Sequence, residues 1–319
     1  MLLAGDIGGT KTLLGIFRSA DSRPDPVRVT VFPTAEYTSL DTMVERFLDE
    51  ALTGALQAAT FGVAGPIIGQ VAQLTNVPCR VEAAAVGTRF SIPRVTLLND
   101  LEAMAYAVPT LRPDEVAVLQ PGDRAPTGNA ALIAAGTGLG EALLHNVNGR
   151  FVPSPTEGGH ADFAPRTPVE IGLLSALIRL YGRADYERVL SGPGLVNIHR
   201  FTHAHACPVC DPGATPAAIS AAALDRRCPD CVRALEVFVS VYGAEAGNLA
   251  LRSMASGGVF IGGGIAPKIL PALQAGAFIE AFRAKGPMAD FTANVPVAVI
   301  LNERVGLLGA AVHAGLSAR

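Results

Sequence analysis

No tryptophan occurs in this sequence, and aromatic residues make up only 6% of it. The core must therefore be filled with aliphatic side chains, and a hydrophobic fraction of 50% supplies enough of them to exclude a disordered chain. Charge is also sparse and carries no basic excess. With 25 Lys and Arg against 28 Asp and Glu, the net charge of -3 offers no field to hold a nucleic-acid backbone. Long apolar runs are missing as well. The opening MLLAGDIGGTKTLLGIF is interrupted by Asp6 and Lys11 and has no basic leader, and no later run is long enough to span a bilayer. These absences predict a cytoplasmic protein with neither nucleic-acid nor membrane partners. Cysteine is scarce too: Cys79 and two CxxC pairs do not make the disulfide framework of a secreted protein.

At 319 residues the chain exceeds the size at which one core stops growing, so two α/β domains with a cleft between them are expected. Leu2 to Ala4 and Thr12 to Phe17 flank a glycine-rich tip and read as a β-hairpin. Ala130 to His145 repeats that pattern, so each domain is expected to open on a hairpin with glycine at its tip. Apolar strands are predicted over Ala59 to Ile67 and in VTLLND, and helices over Thr42 to Leu56, Val169 to Tyr181 and Arg233 to Ser253. Proline gathers around Pro109 to Pro113 and marks a boundary. The predicted division is 1–109 with 302–319, whose closing helix packs back on the first domain, and 110–301.

Glycine at a hairpin tip lets backbone N–H groups approach a phosphate, because no Cβ stands in the way. Three such elements occur: Gly8-Gly9-Thr10-Lys11 after Asp6, Gly136-Thr137-Gly138, and Gly262-Gly263-Gly264. Neither a GxxxxGK[ST] loop nor GxGxxG spacing is present, which removes two common nucleotide folds. A fourth feature is the stretch RVTLLNDLEAMAYAV, Arg94 to Val108, where a strand runs into an Asn-Asp pair at the start of a helix. Asn99 or Asp100 can cap that helix, with Glu102 completing a capping box. A carboxylate at the carboxyl end of a buried strand also stands where α/β proteins place their ligands.

Together, GDIGGT (Gly5 to Thr10), LLND (Leu97 to Asp100), AAGTGLG (Ala134 to Gly140), EGGHADFAP (Glu157 to Pro165), ERVLSGPGL (Glu187 to Leu195), GGVFIGGGIAPK (Gly257 to Lys268) and GLLGAA (Gly306 to Ala311) resemble the bacterial ATP-dependent glucokinase family over nearly the whole chain. The resemblance implies a two-domain actin-like ATPase fold of the ribonuclease H-like kind. It implies transfer of the γ-phosphate of ATP to glucose, the first step of glycolysis, with magnesium as cofactor and a homodimer as the assembly. Sugar binding falls on Asn99, Asp100, Glu157, His160 and Glu187, and Asp100 is the general base. Nucleotide binding falls on Asp6, Gly8, Gly9, Thr10 and Lys11, on Gly136, Thr137 and Gly138, and on Gly263 and Gly264. Another hexose or an amino sugar remains open beside glucose, and ADP or polyphosphate beside ATP. A sugar sensor without catalysis is the rival from another class. Such regulators carry a DNA-binding segment ahead of the kinase core, whereas here the hairpin begins at residue 5.

Two features depart from the family pattern. The first hairpin reads GGTK rather than GGTN, as in the neighbouring ROK sugar kinases, which leaves Lys11 near phosphate or in solvent. The second is CPVC and CPDC, Cys207, Cys210, Cys228 and Cys231, spaced as in a structural zinc site of four cysteines. His199, His203 and His205 lie just upstream and can replace a thiolate. Reduced thiols or a labile disulfide is the alternative. The glucokinase family does not require zinc, so neither reading is catalytic.

Overall fold

A computed structural model describes residues 1–48, 55–65, 67–74, 80–123, 125–203 and 213–319. The chain divides into two compact units, residues 1–112 with 302–319, and residues 113–301. Among the described residues no helix is long and apolar enough to cross a membrane.

The first unit carries a five-stranded sheet in the order Asp25–Pro33, Lys11–Arg18, Leu2–Ile7, Ala58–Val63, Val95–Asn99. The first three form an antiparallel meander, and Leu2–Ile7, Ala58–Val63 and Val95–Asn99 run parallel. All six residues of Ala58–Val63 are buried, which is why this segment reads as a continuous apolar run rather than an alternating one. Helix Val305–Ser317 packs on this sheet through Leu307, Ala310, Ala311 and Ala314, against Leu2, Ala4, Phe17 and Ala58. Its small residues have a purpose: a Cβ at Gly309 would run into the carbonyl oxygen of Ala103, in helix Asp100–Ala107. Backbone therefore meets backbone where these two helices pack.

The helix expected over Thr42 to Leu56 is Leu40–Leu48 among the described residues, and residues 49–54 lie outside them. Ala55 and Leu56 are not helical. The chain there is already aligned beside the first strand, with Gln57 N–H donating to Met1 O at 2.9 Å.

The second unit repeats the plan. Its six-stranded sheet has the order Arg150–Thr156, Leu139–Val147, Ala130–Ala135, Gly258–Gly262, Val297–Ile300, Val116–Gln120. Again a meander of three antiparallel strands continues into parallel ones, with Val116–Gln120 added antiparallel at the far edge. The core packs around helix Pro229–Ser253, whose Phe238 and Tyr242 are fully buried together with Phe278 and Phe282. Burying each such ring contributes about 1.5–3 kcal/mol, and edge-on contacts of Tyr242 with Phe238 and Phe278 fix the geometry.

The close approach at Gly309 gives a direct test. Gly309→Ala is expected to cost about 1–3 kcal/mol by overpacking, read as a lower urea midpoint. An unchanged midpoint would mean that the two helices separate freely.

Candidate active site

In the first unit, the hairpin tip and the Asn-Asp pair both lie at the carboxyl ends of parallel strands. Ile7 and Thr12 are the last hairpin pair, and Gly8 N–H donates to Lys11 O at 3.1 Å. Thr34, which the sequence reading did not single out, clamps the tip: its hydroxyl donates to Gly8 O at 2.7 Å, and its N–H donates to Thr10 O at 3.1 Å. Asn99 is the N-cap of helix Asp100–Ala107, accepting from Leu101 N–H at 3.0 Å. Asp100 Oδ1 accepts from the same N–H at 2.8 Å, so its carboxylate is oriented by backbone. Glu102 takes a hydrogen bond from the Asn99 backbone, completing the capping box.

Asp6, half-buried, lies in the strand that runs into the hairpin tip. Burial, and after it the negative charge of Asp100, push its carboxyl up to about 6, with Lys11 acting in the opposite direction. Helix Val305–Ser317 approaches so closely that a Cβ at Gly306 would lie 2.8 Å from Asp6 Oδ2. Asp6, Lys11 and Asp100 thus share one electrostatic neighbourhood.

The second unit joins three motifs that are far apart in sequence. Glu187 Oε2 accepts from Leu139 N–H at 3.0 Å, just after the Gly136-Thr137-Gly138 tip. Its backbone N–H donates to Gly159 O at 2.8 Å, in the loop of Glu157 and His160. Glu187 is therefore not on a solvated face. A Cβ at Gly159 would run into Leu139 O, so the EGGH loop requires glycine there. Glu157 and His160 are exposed, with Oε2 and Nε2 3.9 Å apart, and Arg183 donates to the His160 carbonyl at 2.6 Å. Gly192 N–H donates to Gly136 O at 2.8 Å, so the second tip is clamped as Thr34 clamps the first.

Tyr242 joins the two glycine turns of this unit. Its hydroxyl accepts from Ala135 N–H at 3.2 Å and lies 3.4 and 3.5 Å from the carbonyls of Ile133 and Gly262. Burial pushes its phenol well above the ordinary range, so it stays neutral. Gly263 has φ of +82°, and a Cβ there would collide with Ala135 O. Gly9, Gly136 and Gly264 differ: a Cβ at any of them would meet nothing within 4 Å among the described residues, and none has positive φ. Neither packing nor backbone conformation demands glycine at these positions. The main chain at these three turns is open on that side.

Beneath the EGGH loop lies a charge cluster that the sequence reading missed. Glu141 is buried, and a Cβ at Gly158 would run into its carboxylate. Arg252 pairs with fully buried Glu245 at 2.7 Å, and Asn248 donates to Glu245 at 2.8 Å. Burial first, then the neighbouring Glu245 charge, push Glu141 up to about 8. The signal was a lone acid in each of two apolar stretches, LGEALL and VYGAEAGNLAL.

The glucokinase family model matches residues 3–316. A glucokinase of Nostoc punctiforme is 38% identical over 98% of this chain and 98% of its own length. The chain belongs to the glucokinase family. Among solved structures, a glucokinase from an Antarctic psychrotroph has a TM-score of 0.90 at 30% identity, covering 98% of each chain. A ROK family glucokinase from Streptomyces griseus, in complex with glucose and AMPPNP, has a TM-score of 0.65 at 22% identity, covering 98% of each chain, and shares the fold. The two repeated sheets are thus those of the actin-like ATPase fold carried by glucokinases.

Glu141 sets a pH dependence on this member of the glucokinase family. Its folded-state pKa lies above that of the unfolded chain, so the folded state holds the extra proton between about 4.5 and about 8. Stability falls as pH rises through that window. Glu141→Gln is expected to remove this slope, so the variant gains on wild type between about pH 5 and pH 8 in urea titrations. A constant difference at both pH values would mean that folded Glu141 is already ionised.

Proposed function

We propose that the protein is an ATP-dependent glucokinase that phosphorylates the 6-hydroxyl of glucose. The observation that carries this reading is Asp100, a carboxylate held by backbone at the carboxyl end of a parallel strand, within reach of the charge of Asp6. Family membership and the AMPPNP and glucose bound by the Streptomyces griseus relative support ATP and glucose as the substrates.

In this reading Asp100 takes the proton of the 6-hydroxyl, and the freed oxygen forms a bond to the γ-phosphorus as the bond to the β-phosphate oxygen breaks. Glucose 6-phosphate and ADP leave, with the proton on Asp100 passing to solvent. The Leu101 N–H holds the Asp100 carboxylate in place to accept that proton. Asn99, Glu157, His160 and Glu187 orient the sugar hydroxyls. Gly8, Gly9, Thr10, Lys11, Gly136, Thr137 and Gly138 present main chain to the phosphates, and Gly263 and Gly264 leave room for the adenosine.

Asp6 suits a magnesium ion that accompanies ATP. A half-buried carboxyl already pushed up by a second acid is relieved by a nearby cation. Bound magnesium supplies charge neutralisation on the phosphates.

A coupled assay of glucose 6-phosphate formation with ATP and magnesium tests the reaction, and a sugar panel run by kcat/KM sets the selectivity. Asp100→Asn is expected to retain glucose binding while kcat drops by about 10²–10⁴-fold; unchanged turnover would remove Asp100 from the chemistry. Gly264→Val probes the nucleotide side. It is expected to leave the thermal midpoint and the KM for glucose in place while raising the KM for ATP, and an unchanged KM for ATP would take this turn out of nucleotide binding.

A further inference from the structure

Helix Gly192–Thr202 ends against the start of helix Pro229–Ser253, and four metal-ligating side chains meet there. His199 and His203 stand one turn apart at the end of the first helix. Cys228 caps the second, and Cys231 lies in its first turn. His203 Nε2 is 3.4 Å from Cys228 Sγ and 3.9 Å from Cys231 Sγ. Two ligands on one tetrahedral zinc, with bonds of about 2.3 Å to sulfur and about 2.0 Å to nitrogen, are about 3.5 Å apart. The observed separations bracket that distance. Ligand atoms of His199, His203 and Cys231 all lie within 4.8 Å of one another.

The surroundings orient these groups as metal ligands are oriented. His203 Nδ1 lies 2.8 Å from the His199 carbonyl, which can only accept, so Nδ1 carries the proton and the Nε2 lone pair faces the two sulfurs. The Cys231 backbone N–H donates to Cys228 Sγ at 3.5 Å. The rings of His199 and His203 stack with centroids 3.8 Å apart, and His199, Cys228 and Cys231 are buried. Two imidazoles and two thiolates form a borderline-soft tetrahedral set, the donor class that selects zinc.

We propose that His199, His203, Cys228 and Cys231 hold a structural zinc ion that ties the two helices together. Cys207 and Cys210, the other pair of the four-cysteine expectation, lie outside the described residues. The first of the tied helices begins at Gly192, whose N–H clamps the Gly136 tip, so the ion secures the base on which that hairpin rests. Its role is folding stability, and no part of phosphoryl transfer passes through it.

The test is the metal content of the full chain, purified under reducing conditions without chelator and supplied with zinc. One zinc per chain is expected. Cobalt substitution should give tetrahedral ligand-field bands with the thiolate charge-transfer intensity of two sulfurs, and chelation should lower the thermal midpoint. His203→Ala, His199→Ala and the double variant Cys228→Ser/Cys231→Ser are each expected to lose the metal, whereas Cys207→Ser/Cys210→Ser keeps it. If the cysteine variant fails to fold, the histidine variants and the cobalt spectrum of the wild type still decide. A wild-type chain that takes up no zinc overturns the proposal. So does loss of the metal from Cys207→Ser/Cys210→Ser, or a charge-transfer intensity of four thiolates, because either places the ion on the four-cysteine set instead.

Discussion

Each unit is organised by one strand that is hydrogen-bonded on both edges. Leu2–Ile7 pairs antiparallel with Lys11–Arg18 and parallel with Ala58–Val63. Ala130–Ala135 does the same with Leu139–Val147 and Gly258–Gly262. A strand so enclosed can leave the sheet only at its end, and it leaves through a short tip closed by the N–H of its first glycine, Gly8 to Lys11 O and Gly136 to Gly138 O. The carbonyls of each tip are then held from outside, by Thr34 in one unit and Gly192 in the other. In the proposed reading, phosphate binding is a by-product of sheet closure rather than of an added loop.

Electrostatics gives the two units different characters. In the first, two acids are brought near each other, and one of them is lifted towards neutrality by burial and by its neighbour. Lys11 acts against that rise, and in the proposed reaction a cation and a proton from the substrate would act on the same pair. In the second, Glu141 and Glu245 are both buried, but Arg252 and Asn248 answer Glu245 within the unit. That cluster supports the EGGH loop from below. Arg252 approaches Glu141 as well, at 3.8 Å, so one guanidinium serves both acids of the second cluster.

The repeated plan was legible because a hairpin with glycine at its tip leaves a mark in both halves of the sequence. The ND pair was legible for the same reason, since a strand, two short polar residues and a helix follow one another without a gap. Asn99 and Asp100 are both used, one as cap and the other as a backbone-held carboxylate, so the two readings of that stretch are compatible. Thr34 and Tyr242 were not legible. Their partners lie between 20 and 109 positions away, and contacts at that separation leave no local pattern. Spacing favoured four cysteines at one metal site, of which Cys207 and Cys210 lie outside the described residues; the fold brings His199 and His203 to Cys228 and Cys231. Helix packing makes that approach of the histidines, and residue spacing cannot report it.

The first unit is discontinuous, closed by the helix Val305–Ser317. During synthesis from the amino terminus, its sheet is exposed while residues 113–301 emerge, because Leu2, Ala4, Phe17 and Ala58 have no cover until that helix arrives. The contiguous second unit can complete its core first. The order of folding therefore runs against the order of translation, and for that interval the apolar face of the first sheet is the surface most exposed to aggregation or to a chaperone.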